Sequence, residues 1–179
     1  MSPVYSIGHS NRTLAGFVDL LHANNIEGIV DIRQFTRSRA NPHFNAETFS
    51  PALQSNGIAY EHLAELGGRR SSKLPRSPNG LWEHSAFRAY ADYALTDEFE
   101  AGFARLVQIA DLRRTAMMCA EAVWWRCHRR IVTDYLVTRG RPVYHIVSEA
   151  EPKPGSLTSG AVAQENGKVI YPPKQPQLF

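Results

Sequence analysis

The chain has 179 residues, 43% hydrophobic and 21% charged, with a formal net charge of +3. That balance excludes a disordered or fibrous chain and suits one domain with its own core. No apolar run approaches the roughly 20 residues that span a bilayer, and Met1-Ser2-Pro3-Val4 lacks a basic segment leading into an apolar one, so a cytoplasmic protein with no membrane partner is expected.

In chain order, Val4 to Ile7 is a short apolar strand ending at Gly8. Leu14, Phe17, Val18 and Leu21 then recur at helical spacing, with Thr13 or Asn11 as the cap. Ile26 to Ile32 has the near-continuous apolar pattern of a strand covered on both faces and runs into Asp31 and Arg33. This β-α-β unit predicts two parallel strands whose C-terminal ends share one edge. Residues 34–42 read as a polar loop. A short helix follows, capped by Asn45, stapled by Phe44 and Phe49, and limited in continuity by Pro51.

Ile58 to Leu63 is the third predicted strand, followed by a glycine turn at Gly67-Gly68 bearing Arg69 and Arg70. The Ser/Pro/Lys/Arg stretch from Ser71 to Gly80 reads as a flexible loop or lid. Two helices come next, one through Phe87, Tyr90 and Ala94 and one from Thr96 or Asp97 with Phe99, Phe103, Leu106 and Ala110 inward. Thr115 to Cys119 is a fourth strand, a helix begins near Cys127 and stops at Gly140, and Pro142 to Val147 is a fifth strand. The expected organisation is a single α/β domain over residues 1–150 and an extended tail over 151–179, packed on the domain or trailing from it. The fold class is α/β: a three-layer, Rossmann-like arrangement of a mostly parallel sheet of about five strands with helices on both faces.

Ligands of such sheets sit beyond the carboxyl ends of the strands, where strand order reverses. The chemistry-bearing residues His9, Ser10, Asp31, Arg33, Gly67, Gly68, Cys119 and Glu121 fall at or just after predicted strand ends. His9 and Ser10 open the first helix, where free N–H groups favour an anion, although Ser10 or Asn11 as a plain cap fits as well. Asp31 and Arg33, two apart on a strand, point to one side; either they pair with each other or Asp31 orients Arg33 toward a substrate.

Cys119 and Cys127 do not make a disulfide framework, which leaves thiols, metal ligands or a redox pair. Cys127 stands near a helix start beside Arg126, His128 and Arg129, an environment that favours the thiolate and makes it a candidate nucleophile. Glu121 or His128 can then transfer a proton and Arg129 can hold an anion. The competing uses are a zinc site of both cysteines with His128 and His9, at a spacing unlike the usual zinc patterns, and simple burial. Trp124 and Trp125 can stack on bases or anchor the core, and His145 can reach the same edge or serve structure. Arginine makes up 16 of the 20 basic residues, and its planar fork matches phosphate, though codon bias is an equally simple source.

Taken together, Ser6-Ile7-Gly8-His9-Ser10, Asp31-Ile32-Arg33, Ser38-Arg39, Phe44, Leu66-Gly67-Gly68, Cys119-Ala120-Glu121, Cys127-His128-Arg129 and His145-Ile146 resemble the uncharacterised family catalogued as domain of unknown function 488, over about residues 4 to 147. The resemblance implies an α/β fold and a shared polar site without naming a reaction or cofactor. The leading expectation is an enzyme acting on a phosphate-bearing substrate, nucleotide or nucleic acid. Cys127, Cys119, Glu121, His128 and Asp31 would be catalytic, and His9, Ser10, Arg33, Gly67, Gly68 and Arg129 would bind the substrate. Its rivals are a non-catalytic nucleotide- or nucleic-acid-binding module, with Arg37, Arg39, Arg69, Arg70, Lys73 and Arg76 as footprint, and a metal-binding or thiol-redox protein centred on Cys119, Cys127 and His128.

Overall fold

The computed structural model describes residues 1–72 and 74–174, so Lys73 lies outside the described residues. Strands β1 (Val4–Gly8), β2 (Gly28–Asp31), β3 (Ala59–His62), β4 (Thr115–Cys119), β5 (Val143–Ile146) and β6 (Lys153–Pro154) form one sheet in the order β3-β2-β4-β1-β5-β6. The first five run parallel, and β6 is antiparallel to β5. The expected five parallel strands therefore gain a sixth, because the segment after β5 turns back along it.

Helices cover both faces. On one side α1 (Leu14–Ala23) and α2 (Ala46–Ser55) pack Phe17, Leu21, Phe49 and Leu53 against Ile7, Ile29 and Met118. On the other, α3 (Ser85–Tyr93), α4 (Asp97–Leu112) and α5 (Arg129–Thr138) pack Tyr90, Phe103, Leu106, Ile131 and Tyr135 against Val30, Met117 and Val143. Successive strand residues feed opposite layers, which is why the strands read as continuous apolar runs. Thr13 caps α1 through its hydroxyl. Asn45 occupies the α2 cap position, but its Oδ1 instead accepts the Ser38 N–H at 2.7 Å and ties down the preceding loop. Helix α2 continues through Pro51, with Phe49 and Leu53 buried on either side of it.

Two expected loops are more firmly held than their composition indicates. In the 71–80 stretch, Ser77 Oγ and Asn79 Nδ2 donate to the Asp92 carboxylate at 2.5 and 2.7 Å, and Ser72 Oγ also donates to it. Beyond β6, β7 (Val162–Ala163) and β8 (Val169–Ile170) form a hairpin, and Val169 and Tyr171 enter the α5-side core. Tyr171 Oη donates to Asp134 on α5 at 2.7 Å, and the Thr158 N–H donates to the same carboxylate at 2.8 Å. Among the described residues no helix is long and apolar enough to cross a membrane.

The topology fixes where a site can lie. β2 leaves β1 in one direction and β5 leaves β4 in the other, so the strand order reverses at the β1–β4 pair, and a crevice opens beyond their C-terminal ends.

Candidate functional site

A cavity of about 690 Å³ occupies that crevice, lined among others by His9, Arg33, Phe35, Cys119, Cys127 and His128. Gly8 pairs with Cys119 in register, and the two strands stay joined past their ends through His9 N–H to Cys119 O (2.9 Å) and Ser10 N–H to Ala120 O (3.0 Å). The His9 and Ser10 amides are thus taken up within the sheet extension, and α1 itself starts later, at Leu14 behind its Thr13 cap. Gly8 is required here: a Cβ on it would lie 1.7 Å from Glu121 O.

Asp31 and Arg33 form a buried, multiply bonded ion pair. Arg33 Nε donates to Asp31 Oδ1 at 2.9 Å, and Nη2 donates to Oδ2 at 2.6 Å and to Phe44 O at 2.8 Å. Tyr60 Oη gives Asp31 Oδ2 a further bond at 2.7 Å; burial together with the neighbouring carboxylate pushes its phenol above the ordinary tyrosine value. Arg33 Nη1 lies 3.3 Å from His9 Nε2, while His9 Nδ1 lies 2.8 Å from Ser10 O. The second contact needs a proton on Nδ1, so Nε2 accepts from the guanidinium. Burial pushes His9 down to about 4, and the Arg33 charge adds to the effect. His9 is therefore neutral at physiological pH and accepts from Arg33.

The two cysteines meet across the crevice floor. Cys119 ends β4, and Cys127 follows a 3₁₀ turn, Trp124–Arg126, with its sulfur 3.1 Å from that of Cys119. Helix α5 starts at Arg129, two residues later than the pattern suggests. Its first N–H donates to Cys127 Sγ at 3.3 Å, and Arg129 Nε donates to the same sulfur at 3.2 Å. Arg129 is 1% exposed. Its remaining donors go to Ser6 Oγ (3.1 Å) and Glu121 O (2.5 Å), and no carboxylate among the described residues pairs with it.

A buried guanidinium needs a counter-anion, and Cys127 Sγ is the group in place to supply it. Burial alone would raise the Cys127 thiol, but the bond from Cys119, the Arg129 charge and His128 outweigh it and hold Cys127 well below the ordinary thiol value. Burial and the neighbouring Cys127 push Cys119 the other way. Both directions favour the charge on Cys127 and the proton on Cys119, across the 3.1 Å contact of the two sulfurs.

His128 Nε2 donates to Ile32 O at 2.7 Å, leaving Nδ1 directed at Gly68, where a Cβ would approach to 3.0 Å. Glu121 stands exposed on the rim, and Ser10 and Gly68 line the cavity. Asp31 and Arg129 sit behind the lining rather than in it, and Gly67 packs against Gln34 outside it. Among the described residues no three His, Cys, Asp or Glu side chains cluster as metal ligands, and the Arg129 charge against Cys127 opposes a cation there. Trp124 stacks on His145 with ring centroids 4.1 Å apart, while Trp125 is exposed.

Sequence reasoning passed over Phe35 and Tyr60, and gave Ser6 no role beyond its place in the family motif. Tyr60 had a usable signal, since a polar tyrosine on the strand beside β2 faces the layer that holds Asp31. Phe35 had none, because an apolar residue in a loop reads as packing; it is instead 64% exposed at the cavity mouth, with Arg69 over its ring at 6.0 Å.

No curated protein and no solved structure matches the chain. A family model does match, over residues 13–136, from the cap of α1 into α5, so that Asp31, Arg33, both cysteines, His128 and Arg129 lie within it and His9 just outside. The chain accordingly belongs to the family described as domain of unknown function DUF488.

Proposed function

We propose that the protein is an enzyme acting on a phosphate-bearing substrate, a nucleotide or nucleic acid, with Cys127 as its nucleophile. The observation that carries this reading is the buried Cys127–Arg129 pair at the base of an open crevice. A thiolate attacks where a thiol does not, and a fixed guanidinium keeps it ionised at neutral pH. Arg37 and Arg69 stand exposed around the mouth. The ion pair of Arg37 with Glu47 is solvent-exposed and weak enough for an incoming phosphate to replace. Phe35 offers a flat face on which a base can stack. Glu121 and His128 are placed to move the proton of a leaving group, while Asp31, His9 and Tyr60 hold Arg33 in the wall. A binding module without catalysis would use the same arginines but gains nothing from a thiolate below them.

The test is protection and turnover together. Inorganic phosphate, nucleoside mono-, di- and triphosphates and a single-stranded oligonucleotide are titrated against iodoacetamide labelling of Cys127, and phosphorus NMR follows product. Protection by a nucleotide or the oligonucleotide, with turnover lost in Cys127→Ser, supports the reading. Protection without turnover would make the site a binding module. If no phosphate compound slows labelling at low salt, the substrate class is wrong.

A further inference from the structure

From the 3.1 Å approach of the two sulfurs we infer that Cys119 and Cys127 form a dithiol that reduces small disulfides, with Cys127 attacking and Cys119 resolving. This activity goes beyond the phosphate chemistry proposed above and does not depend on it, since it needs only the sulfur pair and its access from the crevice. A cysteine kept for nucleophilic attack alone needs one sulfur. Here the second is held against the first by the ends of two elements, β4 and the turn before α5, and both cysteines line the same cavity.

The chemistry balances within the pair and a disulfide co-reactant. The Cys127 thiolate attacks one sulfur of the reagent, so the reagent S–S bond breaks, a mixed disulfide forms on Cys127, and the first thiolate leaves. Cys119 then loses its proton to that leaving thiolate, and its sulfur attacks the Cys127 sulfur. The Cys119–Cys127 bond forms as the second reagent sulfur departs as thiolate. The protein dithiol is oxidised by two electrons and the reagent reduced by two. Closing the bond requires the sulfurs to approach by about 1 Å from their present contact to disulfide length.

Arg129 assists each stage. It stabilises the Cys127 thiolate first and, once that sulfur is capped, is the cation nearest the Cys119 sulfur as this ionises. It also sets the balance of the couple. Oxidation removes the counter-anion of a buried guanidinium, which stabilises the reduced pair, makes the dithiol a weak reductant and means that full oxidation needs the disulfide reagent in excess.

The experiment uses the full-length reduced protein and a large excess of oxidised glutathione, with no phosphate compound present, and reads thiols released and protein mass. The wild type is expected to release two thiols per chain and end two hydrogens lighter, with a Cys119–Cys127 bond in the peptide map. Cys119→Ser should release one thiol and retain glutathione on Cys127, and Cys127→Ser should lose the fast reaction. A wild type that stops at the mixed disulfide, releasing one thiol, would overturn the inference even if the variants fail to fold. So would first attack by Cys119. In glutathione redox buffers, Arg129→Met should shift the equilibrium at least tenfold toward the disulfide; no shift would remove Arg129 from the account. Because nucleotide protection and disulfide exchange are read separately, either reading can fail while the other stands.

Discussion

Arg129 Nε donates to Cys127 Sγ at 3.2 Å, while the backbone N–H of the same arginine donates to that sulfur at 3.3 Å. One residue thus supplies both a full charge and the first amide of α5, and the two act in the same direction on the thiol. Arg129→Met removes the charge and keeps the amide. Alkylation of Cys127 near pH 6 should slow at least tenfold, and the pH profile should move toward that of an ordinary thiol. If the rate at pH 6 is unchanged, the helix start alone holds the thiolate.

Asp31→Asn tests the other buried pair. Arg33 would keep its bonds to Phe44 O and His9 but lose its one anionic partner among the described residues. Removing one member of a buried ion pair costs about 3–5 kcal/mol, so urea unfolding should show most of that loss. Tyr60→Phe, which removes one hydrogen bond to a carboxylate that keeps its others, should cost about 1–2 kcal/mol. Equal losses in the two variants would mean that the Asp31–Arg33 pair contributes no more than a single hydrogen bond to the carboxylate.

Much of this arrangement was legible in the sequence because parallel strands leave a simple signature. Ile29, Val30 and Ile32 had to be covered on both faces, so the polar residues at their ends had to meet at one edge. The cysteines were legible as a pair, but not the 3.1 Å contact between them, since the eight-residue separation says nothing about a 3₁₀ turn at Trp124–Arg126. The neutral state of His9 was hidden for a related reason: it depends on burial, part of which comes from Phe44, stacked on the ring at 4.4 Å from a short 3₁₀ turn far along the chain. Val169 and Tyr171 escaped detection because a two-strand hairpin offers too few residues for a period to show.

Gly8→Ala should be among the most damaging small substitutions. The added methyl would meet the Glu121 carbonyl, which is backbone and also accepts from Arg129 Nη2 at 2.5 Å. The loop from Cys119 to Glu121 must move, at a cost of about 1–3 kcal/mol for overpacking, and Arg129 moves with it. Slower Cys127 alkylation in a still-folded Gly8→Ala protein is the expected result; an unchanged rate would show that the loop accommodates the methyl without moving Arg129.

The clasp on α5 gives a prediction at a distance from the site. Asp134 is buried, and burial raises its carboxyl despite the bonds from Thr158 and Tyr171. Tyr171→Phe leaves Asp134 Oδ2 without its phenol donor, which should cost about 1–3 kcal/mol at pH 7. Because the raised value means that the folded state binds the proton more tightly than the unfolded one, the loss should shrink as the carboxyl protonates in mild acid. A penalty that stays constant with pH would place the effect in packing alone.

The pH dependence of stability should also carry the mark of two histidines. Burial pushes His9 down to about 4 and His145 down to about 3, with the Arg33 and Arg129 charges respectively adding to it. Both ring nitrogens of His145 lack a hydrogen-bond partner among the described residues, so no hydrogen bond there rewards protonation, and the Cys127 charge, which favours it, is outweighed by burial and Arg129. Free histidine titrates near pH 6.5, so between that value and the folded values the unfolded chain binds protons that the folded chain refuses. Their contribution to stability is complete above about pH 6.5 and is lost as pH falls toward the folded values. Asp134 acts with the opposite sign in part of this range, so the informative quantity is the difference between proteins. His145→Leu removes one uptake site, and its urea midpoint should fall less between pH 6.5 and 4.5 than that of the wild type, whatever its absolute stability. Parallel curves would mean that His145 protonates as readily in the folded protein as in the unfolded chain, and that the stack on Trp124 admits water.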